Sequence, residues 1–266
     1  MRKHITGFSN PTVKYLRSLR DKKHRKRSGQ FLVEGLRLLE DARSTGRLPT
    51  TLVMAEGRAA HELLARLEAD VVAAGGEVIA TSPDILSKIT GKDNAQSVVG
   101  VFDEWGTGLA ALDRSAAPIW LVAQALRDPG NLGTMLRTGD AVGAGGLILI
   151  DDCADPFSAE AVRASMGAVF TVPLAQARWE EFLPWLRGGS GQLVAASLRD
   201  AVPYRGAAYA APCFILVGNE SQGLPEEYEA ACDLRVTMPM RGRADSLNAA
   251  VAGAVLAYEV LAGLEA

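Results

Sequence analysis

Residues 213–224 read CFILVGNESQGL, an apolar run that passes directly into a polar loop with two glycines. A run without alternation of apolar and polar residues is typical of a parallel strand buried on both faces. Further runs of this kind lie at 119–123, 147–150, 169–172, 192–196 and 234–238. Helices are predicted at 131–142, 158–166, 178–187, 224–231 and 246–264. This alternation predicts a parallel-sheet α/β domain, in which ligands bind beyond the carboxyl ends of the strands.

The first hundred residues alternate in the same way and predict a small α/β domain. Its short strands are predicted at 31–33, 51–54, 77–80 and 98–102, and its helices at 11–27, 36–43 and 58–74, with one more after Ser82-Pro83. Glycines 106 and 108 and the stretch up to Pro118 indicate a linker. We therefore expect a small domain with a basic arm at 1–105, a linker at 106–117 and a larger domain at 118–266.

The composition is that of a globular protein, because 48% of the 266 residues are hydrophobic and 22% are charged. None of the three cysteines stands in a C-x-x-C pair, which argues against a disulfide scaffold and a cysteine-rich zinc site. No apolar run is long enough for a transmembrane helix, and the N-terminus lacks the apolar core of a signal peptide. We expect a cytoplasmic protein without a bound metal and without membrane association.

Basic residues are concentrated at the N-terminus. Residues 1–30 contain ten Lys or Arg and one acid, a net charge of +9, whereas the whole chain has 28 basic and 31 acidic residues and a net charge of −3. A basic arm on an otherwise acidic protein is expected to bind a polyanion such as a nucleic acid. A solvated basic tail is the alternative interpretation.

Missing residues disfavour several classes of enzyme. All three histidines (His4, His24 and His61) precede the predicted larger domain, which therefore lacks a Ser–His–Asp triad, a histidine base and a histidine-bound metal. There is no P-loop motif, and no G-x-G-x-x-G motif follows the first long strand. The glycines of 143–146 lie between a helix and a strand, the wrong side for a pyrophosphate. A nucleotide hydrolase and a nicotinamide enzyme are both disfavoured.

Three polar segments follow predicted strands. In the first, residues 128–138 (DPGNLGTMLRT), Asn131 lies in the entry turn of a helix, and Arg137 is either an exposed solubility residue or an inward clamp for phosphate. In the second, residues 214–225, Gly218 would let a ligand approach the backbone, and Glu220 is either a functional carboxylate or a loop cap.

The third segment, residues 238–248, reads MPMRGRADSLN and enters the last helix. Asp245 or Ser246 is a natural N-cap for that helix. Asn248 then falls inside the helix, where asparagine is unfavourable. The helix itself is rich in Ala and Gly, so we expect it to be buried against another helix, either in the same chain or, as we prefer, in a two-fold dimer.

Together, N-x-G-x-x-x-R, L-V-G-N-E-x-x-G-L and M-P-M-x-G-x-x-x-S-L-N resemble the three motifs of the SpoU/TrmH family of RNA ribose methyltransferases, within the SPOUT superfamily. The resemblance covers about 118–264 and extends more weakly to residues 31–39 (FLVEGLRLL), which resemble the start of the family's small RNA-binding domain. Gly139 and Ala249-Ala250 depart mildly from the usual pattern.

This resemblance implies S-adenosylmethionine as methyl donor, a deep trefoil knot and a homodimer formed through the knotted domain. By position, the residues that match donor-contacting residues of the family are Gly218, Asn219, Met238, Leu247 and, more weakly, Ser197. The residues that match polar groups around the acceptor ribose are Asn131, Arg137, Glu220, Ser246 and Asn248. Ribosomal RNA is the expected substrate, bound through the basic N-terminal region.

Other functions stay open at this point. A non-catalytic RNA-binding or ribosome-assembly factor could keep the same fold, and relatives that methylate transfer RNA or a base are further alternatives. A nucleotide-dependent oxidoreductase is a weaker one. The identity of the proton acceptor is also open: deprotonating an arginine at pH 7 costs roughly 7.5 kcal/mol, so we expect Arg137 to hold a phosphate and the developing oxyanion instead.

Overall fold

The structure, a computed structural model, describes residues 2–57, 61–219 and 221–265. The chain divides into two units. One contains the described residues up to Trp105 together with Phe157–Phe170, and the other contains Gly106–Pro156 and the described residues from Thr171 onward. Phe157 joins the first unit through aromatic packing, with its ring centroid 4.9 Å from that of Phe31 and 4.8 Å from that of Trp105.

The first unit is built on a five-stranded mixed sheet in the order β1-β4-β3-β5-β2. Its strands are β1 (Arg2–Ile5), β2 (Gln30–Glu34), β3 (Thr51–Ala55), β4 (Glu77–Thr81) and β5 (Val98–Asp103). Strands β1, β3 and β4 are parallel, and β5 is antiparallel to both β2 and β3. Four of these strands match the sequence-based prediction. The prediction missed β1 because only Ile5 of this strand is buried.

The helices before the linker are α1 (Pro11–Ser18), α2 (Lys22–Ser28), α3 (Leu36–Ser44), α4 (Glu62–Ala73) and α5 (Pro83–Thr90). The single basic helix predicted at 11–27 is wrong. The first helix ends at Ser18, and Asp21 begins the next one by accepting a hydrogen bond from the Lys23 N–H at 2.7 Å. The helix predicted at 58–74 occupies Glu62–Ala73, and residues 58–60 lie outside the described part of the chain.

The second unit contains a seven-stranded sheet in the order β10-β12-β9-β11-β6-β7-β8, and all paired neighbours are parallel. Its strands are β6 (Ile119–Gln124), β7 (Leu147–Ile150), β8 (Leu174–Ala177), β9 (Gln192–Ala196), β10 (Val202–Pro203), β11 (Cys213–Val217) and β12 (Leu234–Thr237). Every residue of β6, β7 and β11 is buried, as their unbroken apolar runs predicted. The predicted parallel α/β class is confirmed.

The strand predicted at 169–172 is wrong, because Ala168–Thr171 is a helical turn and the strand begins after Pro173. Val169 and Phe170 are both buried and Thr171 is the one polar residue of the run, so the run is too short for its periodicity to distinguish a helix from a strand. The edge strand β8 takes the place of the predicted strand and pairs with β7.

The remaining helices are α6 (Pro129–Ala141), α7 (Ala159–Ala164), α8 (Ala168–Thr171), α9 (Trp179–Arg187), α10 (Glu226–Ala230) and α11 (Ala249–Glu265). Helix α11 packs on α6, and Gly253 faces Met135 there, whose Cε lies 3.5 Å from the position of a Cβ on that glycine, an ordinary contact distance. The helix is thus packed against another helix of the same chain, and the preferred two-fold dimer contact stays a prediction. Within the described residues, no helix is long and apolar enough to span a membrane.

Candidate functional site

A cavity of about 420 Å³ lies where the segments that follow three adjacent strands, β9, β11 and β12, come together. Carboxyl ends of parallel strands meet at one edge of a sheet, which is why segments far apart in sequence converge there. The volume lies within the range of roughly 300–1,000 Å³ that is usual for small-molecule sites. Six of the residues singled out from the sequence line this cavity: Ser197, Gly218, Asn219, Met238, Ser246 and Leu247.

The loop after β11 needs glycine at its first position. A Cβ on Gly218 would lie 2.6 Å from the carbonyl carbon of Gly223 and 2.7 Å from the backbone nitrogen of Leu224. The sequence suggested that this glycine admits a ligand, but the space beside it is filled by the chain's own backbone. Gly218 therefore shapes the cavity by letting the loop fold back on itself.

Asn219 holds the same loop in place. Its Oδ1 accepts hydrogen bonds from the N–H groups of Ser221 at 2.9 Å and Gln222 at 3.1 Å. Its Nδ2 donates to the carbonyl oxygen of Ala125 at 2.9 Å, just beyond the end of β6. Because both ends of this amide are occupied, the Asn219 side chain fixes the wall of the cavity from within the protein.

One end of the cavity is polar. The Ser197 hydroxyl donates to Oε1 of Glu229 at 2.6 Å and accepts a hydrogen bond from the Arg199 N–H at 3.0 Å. The Arg199 guanidinium lies 3.4 Å from Oε2 of the same carboxylate. Only 8% of the Glu229 side chain is exposed. Sequence reasoning missed Glu229, because an acidic residue in the stretch EEYEA of α10 resembles an ordinary solvent-exposed position.

The rest of the cavity wall is largely apolar. Its apolar lining side chains include Val217, Leu224, Val236, Met238 and Leu247. Leu247 is 38% exposed and Leu198, which also lines the cavity, is 75% exposed, so both leave apolar surface open to a ligand. A cavity with apolar walls and one polar end suits a ligand that combines a flat ring with hydrogen-bonding groups.

The first and third polar segments are joined by a direct hydrogen bond, from Nδ2 of Asn248 to Oδ1 of Asn131 at 2.9 Å. Asn248 is also the residue that begins α11, since its Oδ1 accepts from the N–H groups of Ala250 at 3.0 Å and Val251 at 3.2 Å. The predicted caps Asp245 and Ser246 are therefore wrong, and the asparagine that seemed unfavourable inside a helix lies at its start. Asn131 lies in the first turn of α6.

Arg137 is exposed on α6 and has no hydrogen-bond or ion-pair partner among the residues that the structure describes. It does not line the cavity, and neither do Asn131 and Asn248. Glu220, the remaining residue singled out from the sequence, lies outside the described residues.

The described residues contain neither a candidate metal site nor a cysteine suited to act as a nucleophile. No group of three or more His, Cys, Asp or Glu side chains among them could hold a metal ion. Burial raises the pKa of Cys153 to about 11 and the pKa of Cys213 and Cys232 to about 12. These thiols stay protonated at neutral pH and cannot serve as thiolate nucleophiles.

The fold and the cavity together define an α/β protein with a cavity of small-molecule size at the carboxyl edge of a parallel sheet. The chain belongs to the SpoU rRNA methylase family, whose family model matches residues 118–258. Residues 10–100 match a second family model, the MRM3-like substrate binding domain.

Similar proteins cover nearly the whole chain. The 23S rRNA (guanosine(2553)-2'-O)-methyltransferase RlmP of Bacillus subtilis is 30% identical over 97% of this chain and 99% of its own length. The AdoMet-bound rRNA methyltransferase of Sinorhizobium meliloti is 40% identical, with a TM-score of 0.92 over 98% of each chain. The SpoU methyltransferase AviRb of Streptomyces viridochromogenes, solved with AdoMet, is 28% identical, with a TM-score of 0.87 over 97% of this chain and 99% of that one.

These findings confirm the family that the three motifs indicated. They also confirm the predicted enzyme class, RNA 2'-O-ribose methyltransferase, and S-adenosylmethionine as the cofactor of the family.

Proposed function

We propose that this protein transfers the methyl group of S-adenosylmethionine to the 2'-hydroxyl of a ribose in ribosomal RNA. The observation that carries this proposal is the convergence of three distant motifs, two around one cavity and the first tied to the third by the Asn131–Asn248 hydrogen bond. S-adenosylmethionine supplies a methyl group already activated on a sulfonium. The main task of the chain is alignment, which can contribute roughly 7–11 kcal/mol to catalysis.

The cavity residues fit this cofactor. Leu224, Met238 and Leu247 offer apolar surface for an adenine ring. The Ser197 end of the cavity offers polar partners. A nucleoside with an amino-acid tail needs both kinds of surface.

We assign the acceptor side to the polar residues that match the acceptor-side positions of the family's motifs: Asn131, Arg137, Glu220, Ser246 and Asn248. Arg137 is the exposed member whose planar guanidinium suits a bidentate contact with an RNA phosphate. The attacking hydroxyl must lose its proton, and the high cost of deprotonating an arginine makes Arg137 unsuitable as acceptor. In our proposal Arg137 holds the phosphate and the developing oxyanion, and the proton leaves to phosphate or water.

The basic surface of the first unit is our proposed RNA-binding site. Lys14, Arg17 and Arg20 on and beside α1, with Lys88 on α5, are exposed and line two shallow concavities. Arg25 differs from them, because its guanidinium is buried and donates to the carbonyl oxygens of residues 19 and 20. The RNA-facing part of the basic N-terminal region is thus smaller than its net charge indicates.

Four further properties belong to the proposal. The larger domain, 118–266, would form the trefoil knot and the homodimer, with the exposed Val251 and Tyr258 of α11 available for a second copy. Residues 1–105 would form the RNA-binding domain, and the protein would act in the cytoplasm. Sedimentation of the purified protein tests the dimer directly.

Methylation mapping tests the function. Ribosomal RNA from cells that lack this protein is incubated with the enzyme and S-adenosylmethionine, and resistance of the RNA backbone to alkaline cleavage locates each 2'-O-methyl group. We expect one new site that is absent after incubation with Arg137→Ala. Mass spectrometry of nuclease digests of ribosomal and transfer RNA from the same incubations detects methyl groups elsewhere. Methyl groups on a base or on transfer RNA alone would contradict the proposal, and no methyl transfer in either measurement would favour a non-catalytic RNA-binding factor.

A further inference from the structure

Glu229 is a buried carboxylate in the wall of the cavity that the three motifs do not include. It lines the cavity, and only 8% of its side chain is exposed. Burying a carboxylate is costly unless it is paired and hydrogen-bonded, so a position of this kind needs compensating partners.

The two oxygens of the Glu229 carboxylate are not equally well paired within the chain. Oε1 accepts a short hydrogen bond of 2.6 Å from the Ser197 hydroxyl. Oε2 lies 3.4 Å from the Arg199 guanidinium, longer than the usual range for N–H···O bonds, and the Arg199 side chain is 59% exposed. An ionised carboxylate can accept about four hydrogen bonds, so the contacts with Ser197 and Arg199 leave acceptor capacity on Glu229, which lines the cavity.

We propose that Glu229 binds the methyl donor by accepting a hydrogen bond from one of its N–H groups; this rests on the proposed function. A carboxylate only accepts, and an amine of the donor only donates, so each requires a partner of the other kind. A ribose hydroxyl can also accept hydrogen bonds and does not depend on a carboxylate. S-adenosylmethionine carries two such N–H groups, the 6-amino group of adenine and the α-ammonium group of the amino-acid end.

The positions of Ser197 and Arg199 support this role. Both act on the carboxylate from the loop after β9, and the Arg199 N–H in turn donates to the Ser197 hydroxyl. The cluster therefore holds the Glu229 carboxylate at a fixed place on the cavity wall. Fixed acceptors of this kind give selectivity, because a ligand that lacks the matching donor does not gain this hydrogen bond.

Calorimetric titration with three ligands tests the proposal. S-adenosylhomocysteine has both N–H groups, 5'-methylthioadenosine has the adenine amine alone, and 5'-methylthioinosine has neither. We expect Glu229→Gln to weaken binding of S-adenosylhomocysteine at least about tenfold, as for the loss of a charge-assisted hydrogen bond, and to leave 5'-methylthioinosine unaffected. A matching loss for 5'-methylthioadenosine assigns the adenine amine, and no loss assigns the α-ammonium group.

Two controls separate binding from a structural role. Ser197→Ala removes the hydrogen bond that supports the carboxylate but keeps the carboxylate itself, so we expect a smaller loss with the same selectivity among the three ligands. Glu229→Asp keeps the charge, but its shorter side chain moves the carboxylate back from the cavity. If the Gln variant does not fold, the Asp variant should show the same selective loss. Unchanged affinity of Glu229→Gln for S-adenosylhomocysteine, or an equal loss for all three ligands, would overturn the proposal. If wild-type protein binds none of the three ligands, the proposed function fails as well.

Discussion

At the level of one side chain, variants of Arg137 test its proposed role in methyl transfer. Arg137→Lys keeps the charge but loses the planar fork, so we expect turnover at saturating RNA to fall by about 10²-fold, as when one oxyanion donor is removed. Single-turnover methylation of ribosomal RNA measures this effect. Arg137→Ala should leave the affinity for S-adenosylhomocysteine nearly intact, because Arg137 does not line the cavity. Unchanged turnover of the Lys variant, or a large loss of donor affinity in the Ala variant, would refute the assigned role.

Gly218 tests the shape of the cavity wall. Gly218→Ala places a methyl group 2.6 Å from the backbone of Gly223, so the loop must shift. We expect a destabilisation of roughly 1–3 kcal/mol, as for other overpacked sites, together with weaker binding of S-adenosylhomocysteine. Thermal denaturation and calorimetry measure the two effects. The matched control is Gly242→Ala, where nothing lies within 4 Å of the new methyl group and both quantities should stay at their wild-type values.

The positions of the site residues could be predicted only in part from the sequence. Ser197, Met238 and Leu247 follow strands of the parallel sheet, so their gathering at one edge could be foreseen from parallel topology. The roles of Gly218 and Asn219 could not, because their partners are backbone atoms of a loop whose path the sequence does not specify. Motifs and periodicity cannot predict which side chains meet when separate elements pack together.

At the level of one element, the start of helix α11 joins the third motif to the first. Asn248 both begins this helix and donates to Asn131. Asn248→Asp keeps a capping oxygen but cannot donate, so we expect near-normal stability with reduced methylation of ribosomal RNA. Asn248→Ala loses both and should also be less stable by about 1 kcal/mol. Full methylation activity of the Asp variant would show that the Asn131 hydrogen bond is not needed.

Strands with long apolar runs were predicted well from the sequence. The errors in other elements have causes in a few neighbouring residues. The unbroken runs of β6, β7, β9 and β11 gave strands within one residue of their bounds. The helical turn Ala168–Thr171 was mistaken for a strand because it is short and fully apolar up to Phe170. The predicted basic helix was divided at Asp21 because a capping side chain competes with helix continuation.

For the molecule as a whole, charge distribution predicts how RNA binding depends on salt. Replacing Lys14, Arg17 or Arg20 with Gln should reduce the slope of log K against log salt by about 0.7–0.9 for each phosphate that is no longer neutralised. Filter binding of ribosomal RNA at several salt concentrations measures the slope. The control is Arg66→Gln on α4, whose guanidinium is already paired with Glu62. An equal change in the control would show that the effect comes from net charge alone.

The proposed chemistry requires one location for the methyl donor, and a crystal structure with S-adenosylhomocysteine tests that location most directly. We predict electron density for the ligand in the cavity lined by Gly218, Met238 and Leu247, with a polar group of the ligand toward Glu229. Density at another place on the protein, with this cavity filled by solvent, would contradict the assignment of this cavity to the methyl donor.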